Sequence, residues 1–245
     1  MNRLAGSTAL VTGAARGLGA QIAKRFAEEG ARVFVNDLRL EAAQATAEAV
    51  GGVGIACDVS DSQAVKAMFA EVGKTTQRLD ILVNNAGIIR RAPAIAFSEQ
   101  DWDDVLQVNL KAVFFLSQAA ARVMAEQGGG KIIHIASMLS YHGGILVPAY
   151  TAAKSALAGV TRAQANEWAA KGINVNAIAP GYMATDNTAP LRADPVRNPA
   201  IVARIPAGRW GDPGDLKGIV AFLASDAAAY MQGAVIPVDG GWLAR

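Results

Sequence analysis

Tyr150 and Lys154 stand four positions apart in Tyr150-Thr-Ala-Ala-Lys154, a segment that reads as helical. Residues i and i+4 share a helix face, so an ammonium is placed beside a phenol. At about 4 Å and an effective dielectric of about 20 their attraction is on the order of 4 kcal/mol. That is enough to draw a phenol of pKa about 10 toward neutrality, where it can act as general acid or base. Alone, the spacing occurs by chance on many helices. Ser137 lies just past an apolar run at 131–135; at the carboxyl end of a parallel strand it points into the crevice where ligands bind. Asn109 interrupts a helical pattern, where Asn is a poor helix former, and predicts a kink or a buried hydrogen-bonding role. A capping serine and an exposed mid-helix asparagine are the ordinary alternatives.

A second group suits a dinucleotide. Thr12-Gly13-Ala-Ala-Arg16-Gly17-Leu18-Gly19 links an apolar run to a helical pattern. Backbone amides at a helix N-terminus attract a pyrophosphate, and glycines let it approach. The spacing departs from G-x-G-x-x-G, with three residues between the first two glycines, and such a turn also serves packing. Asp37 directly follows the second apolar run, 18 positions after Gly19, where a carboxylate accepts the adenosine ribose hydroxyls. A 2′-phosphate would face that carboxylate, so the sequence predicts NAD(H) over NADP(H). Arg16 and Arg39 are the cations that argue the other way.

These residues need a scaffold that brings strand ends together. Strand-like runs fall at 9–11, 33–36, 53–57, 81–84, 131–135, 175–179 and 235–238. Helical patterns fall at 19–29, 40–50, 62–75, 101–126, 150–170 and 213–223. The alternation predicts an α/β fold with a doubly wound parallel sheet, and 245 residues fit one domain, 1–245. The stretch 185–204, rich in Pro, Asn, Asp and Arg, breaks the alternation. It predicts an irregular substrate lid at about 183–208.

Composition narrows the function. Hydrophobic residues are 52% and charged residues 18%, which excludes disorder. A net charge of 23 − 21 = +2 lacks the basic stripe of a nucleic-acid binder. Cys57 is the only cysteine, and His134 and His142 are the only histidines, which argues against a disulfide framework and a metal site. No apolar run is long enough to span a membrane, and no signal peptide is visible; a soluble cytoplasmic protein is expected.

Taken together, residues 12–19, Asp58, Asn84-Asn85-Ala86-Gly87, Asn109, Ser137, Tyr150-x-x-x-Lys154 and Pro180-Gly181 resemble the short-chain dehydrogenase/reductase family in order and spacing. The resemblance implies a Rossmann-type sheet of seven parallel strands with helices on both faces. It also implies a catalytic tetrad. Tyr150 transfers the proton, Ser137 positions the carbonyl, Lys154 lowers the tyrosine pKa and holds the nicotinamide ribose, and Asn109 keeps a water in the relay. It further implies cofactor contacts from Asp58 and Val59 at the adenine, from Asn85, Ala86 and Gly87, from Pro180 and Gly181, and from Thr185. A homotetramer is implied as well, built on the Ala-rich helical segments 112–125 and 152–170.

A narrower resemblance, carried by 84–91, 98–104, 135–140, 179–185, 191–194, 204–211 and 240–245, points within that family to the 2-dehydro-3-deoxy-D-gluconate 5-dehydrogenases. It implies NAD(H)-dependent interconversion of 2-keto-3-deoxygluconate and its 2,5-diketo form. A sugar acid needs a cation, and arginine suits a carboxylate; Arg90, Arg91 and Arg192 are the candidates. His142, Tyr182 and Met183 are candidates for the pocket wall, although Met183 and Tyr182 also fit a packing role. Trp242 is expected at a subunit contact. Other carbonyl substrates stay open: a 3-oxoacyl thioester, gluconate or another uronate-derived keto acid. So does a non-catalytic dinucleotide-binding regulator.

Overall fold

The computed structural model describes residues 2–245. The seven apolar runs form β1 (Thr8–Val11), β2 (Arg32–Asp37), β3 (Val53–Ala56), β4 (Ile81–Asn84), β5 (Gly130–Ile135), β6 (Ile173–Pro180) and β7 (Val235–Val238). They make one parallel sheet in the order β3-β2-β1-β4-β5-β6-β7. The order reverses between β1 and β4, so their carboxyl ends flank a crevice.

Helices cover both faces. On one side lie α1 (Gly17–Glu28), α2 (Leu40–Val50) and, from the end of the chain, α9 (Lys217–Ala224); on the other lie α3 (Ser62–Thr75), α5 (Ala112–Glu126) and α6 (Pro148–Trp168). Coverage on both faces explains the near-continuous apolar strands. In β1, Ala9 and Val11 enter the core with Ile22, Phe26 and Val220, while Leu10 enters the other with Met68, Leu116 and Ile132.

Two segments differ from the sequence reading. The expected helix at 101–126 is α4 (Glu99–Leu106) continued into α5 through a π-helical turn, Gln107–Lys111, with Asn109 inside it. A π turn widens the helix by one residue and often marks a functional site. The segment 185–204 is not irregular. It folds into α7 (Ala189–Ala193) and α8 (Arg197–Arg204). The Asp194 carboxylate accepts the Val196 and Arg197 amides at 2.9 and 2.8 Å, and α8 turns Ile201 into a small core with Met138, Ile205 and Trp242. The polar residues that read as breakers are the groups that satisfy a helix start. Trp242, expected at a subunit contact, is 5% exposed within its own chain. Arg204 lies over its ring, 4.0 Å from the centroid.

A buried polar column ties α5 and α6 to the sheet. His134 on β5 meets Thr161 of α6 through Nδ1 at 3.0 Å and Ser117 of α5 through Nε2 at 3.1 Å. Asn84 Nδ2 donates to the same Ser117 hydroxyl at 2.9 Å. Thr161 and Ser117 also donate their hydroxyl protons to backbone carbonyls of their own helices, Leu157 O at 2.7 Å and Val113 O at 2.8 Å. Burial, and secondarily the Lys154 charge, hold the imidazole neutral by pulling its pKa down to about 3. The unfolded chain therefore binds the proton first as pH falls, and folding stability drops from about pH 6.5 toward 3. Urea denaturation of His134→Gln across this range should show a pH slope shallower by up to one proton than the wild type; an unchanged slope would contradict the neutral imidazole.

Candidate active site

A cleft of about 520 Å³ opens at the carboxyl ends of the strands. Of the residues expected to bind cofactor, Gly13, Arg16, Gly17, Leu18, Asp37, Asp58, Val59, Asn85, Ala86, Gly87, Tyr150, Lys154 and Thr185 line it. Gly19 lies behind the wall, where a Cβ would stand 2.6 Å from Asn85 Nδ2. Pro180 ends β6, and Gly181 faces a separate cavity of about 210 Å³ beside Asp239 rather than this cleft.

The glycine turn fits a dinucleotide. Gly13 has φ +60°, and a Cβ there would stand 2.8 Å from Ala86 Cα. Asn85 pins the turn by donating through Nδ2 to Thr12 O and Gly13 O, both at 2.9 Å. Helix α1 has no side-chain cap and no acidic residue in its first turn, so its leading amides remain for an anion. Asp37 terminates β2, and its carboxylate accepts Ala15 N at 3.1 Å and Leu38 N at 2.9 Å. These bonds fix the carboxylate at the cleft wall. Arg16 pairs with Asp186 at 3.0 Å. Arg39 is exposed at the cap of α2.

At the other end, Asn109 is fully buried in the π turn. Its Nδ2 donates to Ile88 O and Val105 O, both at 2.9 Å, while its Oδ1 has no protein partner. Ser137 stands just beyond β5, and its hydroxyl accepts Leu139 N at 3.2 Å. Lys154, 4% exposed, donates through Nζ to Ile135 O at 2.6 Å and lies 5.5 Å from the Tyr150 ring centroid.

The electrostatics correct the sequence reading. Tyr150 is not drawn toward neutrality. Burial pushes its phenol up to about 12, against the opposing effects of a hydrogen bond from Ser137 and the Arg91 charge. Burial also pulls Lys154 down to about 8. The expected Coulomb attraction left out desolvation; here desolvation is larger, and the ammonium is directed at a backbone carbonyl. At neutral pH the phenol keeps its proton.

The three candidate arginines separate. Arg90 lines the cleft but is engaged by Asp101 at 3.2 Å and Asp104 at 3.8 Å. Arg91 makes one bond, to Asn187 O at 3.3 Å. Arg192 makes one, to Thr185 O at 3.2 Å, and its buried Nε has no partner. His142 sits apart from the cleft, accepting Trp242 Nε1–H at 3.1 Å. Tyr182 packs edge-on against Trp210 and Trp242. Met183 is buried in the main core. None of the three lines the cofactor cleft, and Tyr182 and Met183 line the separate cavity of about 210 Å³ beside Gly181.

The cleft also uses residues not singled out from sequence, among them Asn36, Cys57, Ile88, Asp186 and Asn187. Asn36 lies near the end of β2 and Cys57 follows β3, so the rule that ligands bind at strand carboxyl ends could have found both. Burial, with Asp58 and Asp61 nearby, pushes the Cys57 thiol up to about 11, which leaves it unreactive. Asp186 and Asn187 carry no local signal.

The Ser137 hydrogen bond lowers the Tyr150 pKa, so Ser137→Ala should move tyrosinate formation to higher pH. Difference absorbance against Tyr150→Phe reads this without substrate; an unmoved titration would show that Ser137 does not bond the phenolate.

The family model described as Enoyl-(Acyl carrier protein) reductase matches residues 13–243. The 2-dehydro-3-deoxy-D-gluconate 5-dehydrogenase of Dickeya dadantii (strain 3937) is 54% identical over 99% of this chain and 97% of its own. A solved structure from Agrobacterium tumefaciens with bound NADP is 53% identical, with TM-score 0.91 and full coverage of both chains. A gluconate 5-dehydrogenase from Burkholderia cenocepacia J2315, in complex with NADP and tartrate, is 39% identical with TM-score 0.96, over 99% of this chain and 97% of that one. Such likeness along nearly the whole chain, on a sheet of this order, makes the protein an oxidoreductase of the short-chain dehydrogenase/reductase family.

Proposed function

We propose that the protein interconverts a secondary alcohol and a ketone on a keto-deoxy sugar acid, 2-keto-3-deoxygluconate and its 2,5-diketo form, with NAD(H). The observation that carries the reading is a half-buried Tyr150 lining a dinucleotide-sized cleft, with Lys154 beside its ring and Ser137 and Arg91 acting on its phenol. The 54% identity to a dehydrogenase of that substrate supports its identity.

The bound nicotinamide supplies or accepts the hydride. Gly13, Gly17, Leu18 and the α1 amides would hold the pyrophosphate. Asp37, Asp58 and Val59 would hold the adenosine, and Asn85 to Gly87 with Thr185 the remainder. In the reductive direction the Tyr150 hydroxyl gives its proton to the substrate carbonyl oxygen, and Ser137 donates a hydrogen bond to that oxygen. The unpartnered Asn109 Oδ1 accepts from the solvent chain that returns the proton. Lys154 keeps positive charge beside the phenol and reaches the ribose. The Asp37 carboxylate favours NAD(H) by repelling a 2′-phosphate.

Arg91 and Arg192, each with a single carbonyl partner, are the carboxylate ligands; Arg90 is committed to Asp101 and Asp104. Residues 183–208 serve as the substrate lid of a single 1–245 domain. Exposed Phe114 and Phe115 on α5 offer a contact for a homotetramer, which light scattering would detect.

Tyr150→Phe should abolish turnover while NADH binding survives; retained turnover would sink the proton-donor assignment. A charge-assisted hydrogen bond contributes roughly 1.5–3 kcal/mol. Arg91→Ala should therefore lower kcat/KM for 2,5-diketo-3-deoxygluconate about 10- to 100-fold and spare a neutral ketone. Equal losses on both substrates would remove the carboxylate role.

A further inference from the structure

Arg16 and Asp186 meet across the mouth of the cleft, Nη1 to Oδ2 at 3.0 Å. Arg16 caps α1 beside Gly17, and Asp186 opens the segment that follows Thr185. Both side chains are 73% exposed, so the pair is weak and salt-sensitive. Neither has another ionic partner among the described residues. The chemistry proposed above does not use this pair.

Its position bears on cofactor choice. A 2′-phosphate is recognised by a guanidinium with bidentate hydrogen bonds, and the glycine turn offers only Arg16 for that. A guanidinium held at Asp186 must give up that carboxylate before it can turn to a phosphate at the adenosine end. The released carboxylate then faces a cleft to which a doubly charged group has been added.

We propose that Asp186 is a specificity-determining residue that withholds Arg16 from the 2′-phosphate of NADP(H). Discrimination then has two parts. Asp37 repels the phosphate from the end of β2, and Asp186 occupies Arg16, one of the two cations that could compensate; Arg39, exposed at the cap of α2, is untouched by it. The inference rests on the proposed preference for NAD(H).

The test is equilibrium binding of NADH and NADPH, read by nicotinamide fluorescence, to the full-length protein without substrate and at low salt. The set is wild type, Asp186→Asn, Arg16→Ala and the double variant. An exposed pair of this kind corresponds to a few-fold effect. Asp186→Asn should tighten NADPH binding about three- to fivefold and leave NADH within about twofold. The gain should vanish when Arg16 is alanine. An unchanged NADPH Kd in Asp186→Asn overturns the proposal, and so does a gain that persists without Arg16, which would make Asp186 a simple repulsive charge. A wild type that binds NADPH more tightly than NADH overturns the underlying preference instead, and the two failures are separable. Asparagine keeps the side-chain shape, and an unchanged Tm confirms that the fold is not the variable.

Discussion

The site is organised by taking an ammonium out of water and fastening it to the sheet. Lys154 is 4% exposed and donates to Ile135 O at 2.6 Å. A cation buried without partners costs several kcal/mol, so this bond must be held in place. Two arrangements hold it. Ala149 and Ala153 are fully buried against Val105, which lets the start of α6 lie close to α4. The Thr161–His134 bond fixes α6 to β5 one residue before Ile135. The spacing of Tyr150 and Lys154 comes from the helix itself; how that helix sits on β5 sets the bond from Lys154 to Ile135 O, and the low dielectric follows from the same packing.

That dependence explains what the sequence shows and what it hides. The seven strands and the long helices are legible because strands covered on both faces read as apolar runs. Gly13, Gly17, Asp37, Asn109 and Tyr150 are legible because each is tied to its element by spacing. The sign of the Tyr150 shift is not. Spacing places a cation near a phenol, but whether attraction or desolvation wins depends on solvent exclusion by Val105, Ile135 and their neighbours, which no local pattern records. The helices α7 and α8 were hidden for a different reason. Asp194 and Pro190 have the composition of a loop, and only the bonds from Val196 and Arg197 to the Asp194 carboxylate reveal a helix start.

Asp37 shows how one residue can serve structure and recognition without conflict. Its two bonds to Ala15 N and Leu38 N join the glycine turn to the end of β2. A carboxylate has about four acceptor sites, so both bonds leave capacity for ribose hydroxyls. Its structural bonds therefore leave room for the cofactor role proposed for it. Relatives that bind NADP show that this scaffold admits a 2′-phosphate, which moves the question of selectivity from the sheet to the charges around the turn.

Arg91 links the substrate end to proton transfer. Its charge opposes the burial that raises the Tyr150 pKa. A substrate carboxylate paired with Arg91, as proposed, would neutralise that charge as the ketone binds. The opposing effect would then weaken and the phenol would hold its proton more firmly, which keeps it protonated but makes it a weaker acid. In the oxidative direction the same carboxylate would disfavour the phenolate needed as base, so oxidation would call for higher pH than reduction. A neutral substrate lacks this coupling, because it leaves the Arg91 charge in place. On the proposed function, one guanidinium would thus set both recognition of an acid and the proton affinity of the phenol, and a substrate's charge would influence the chemical step as well as binding.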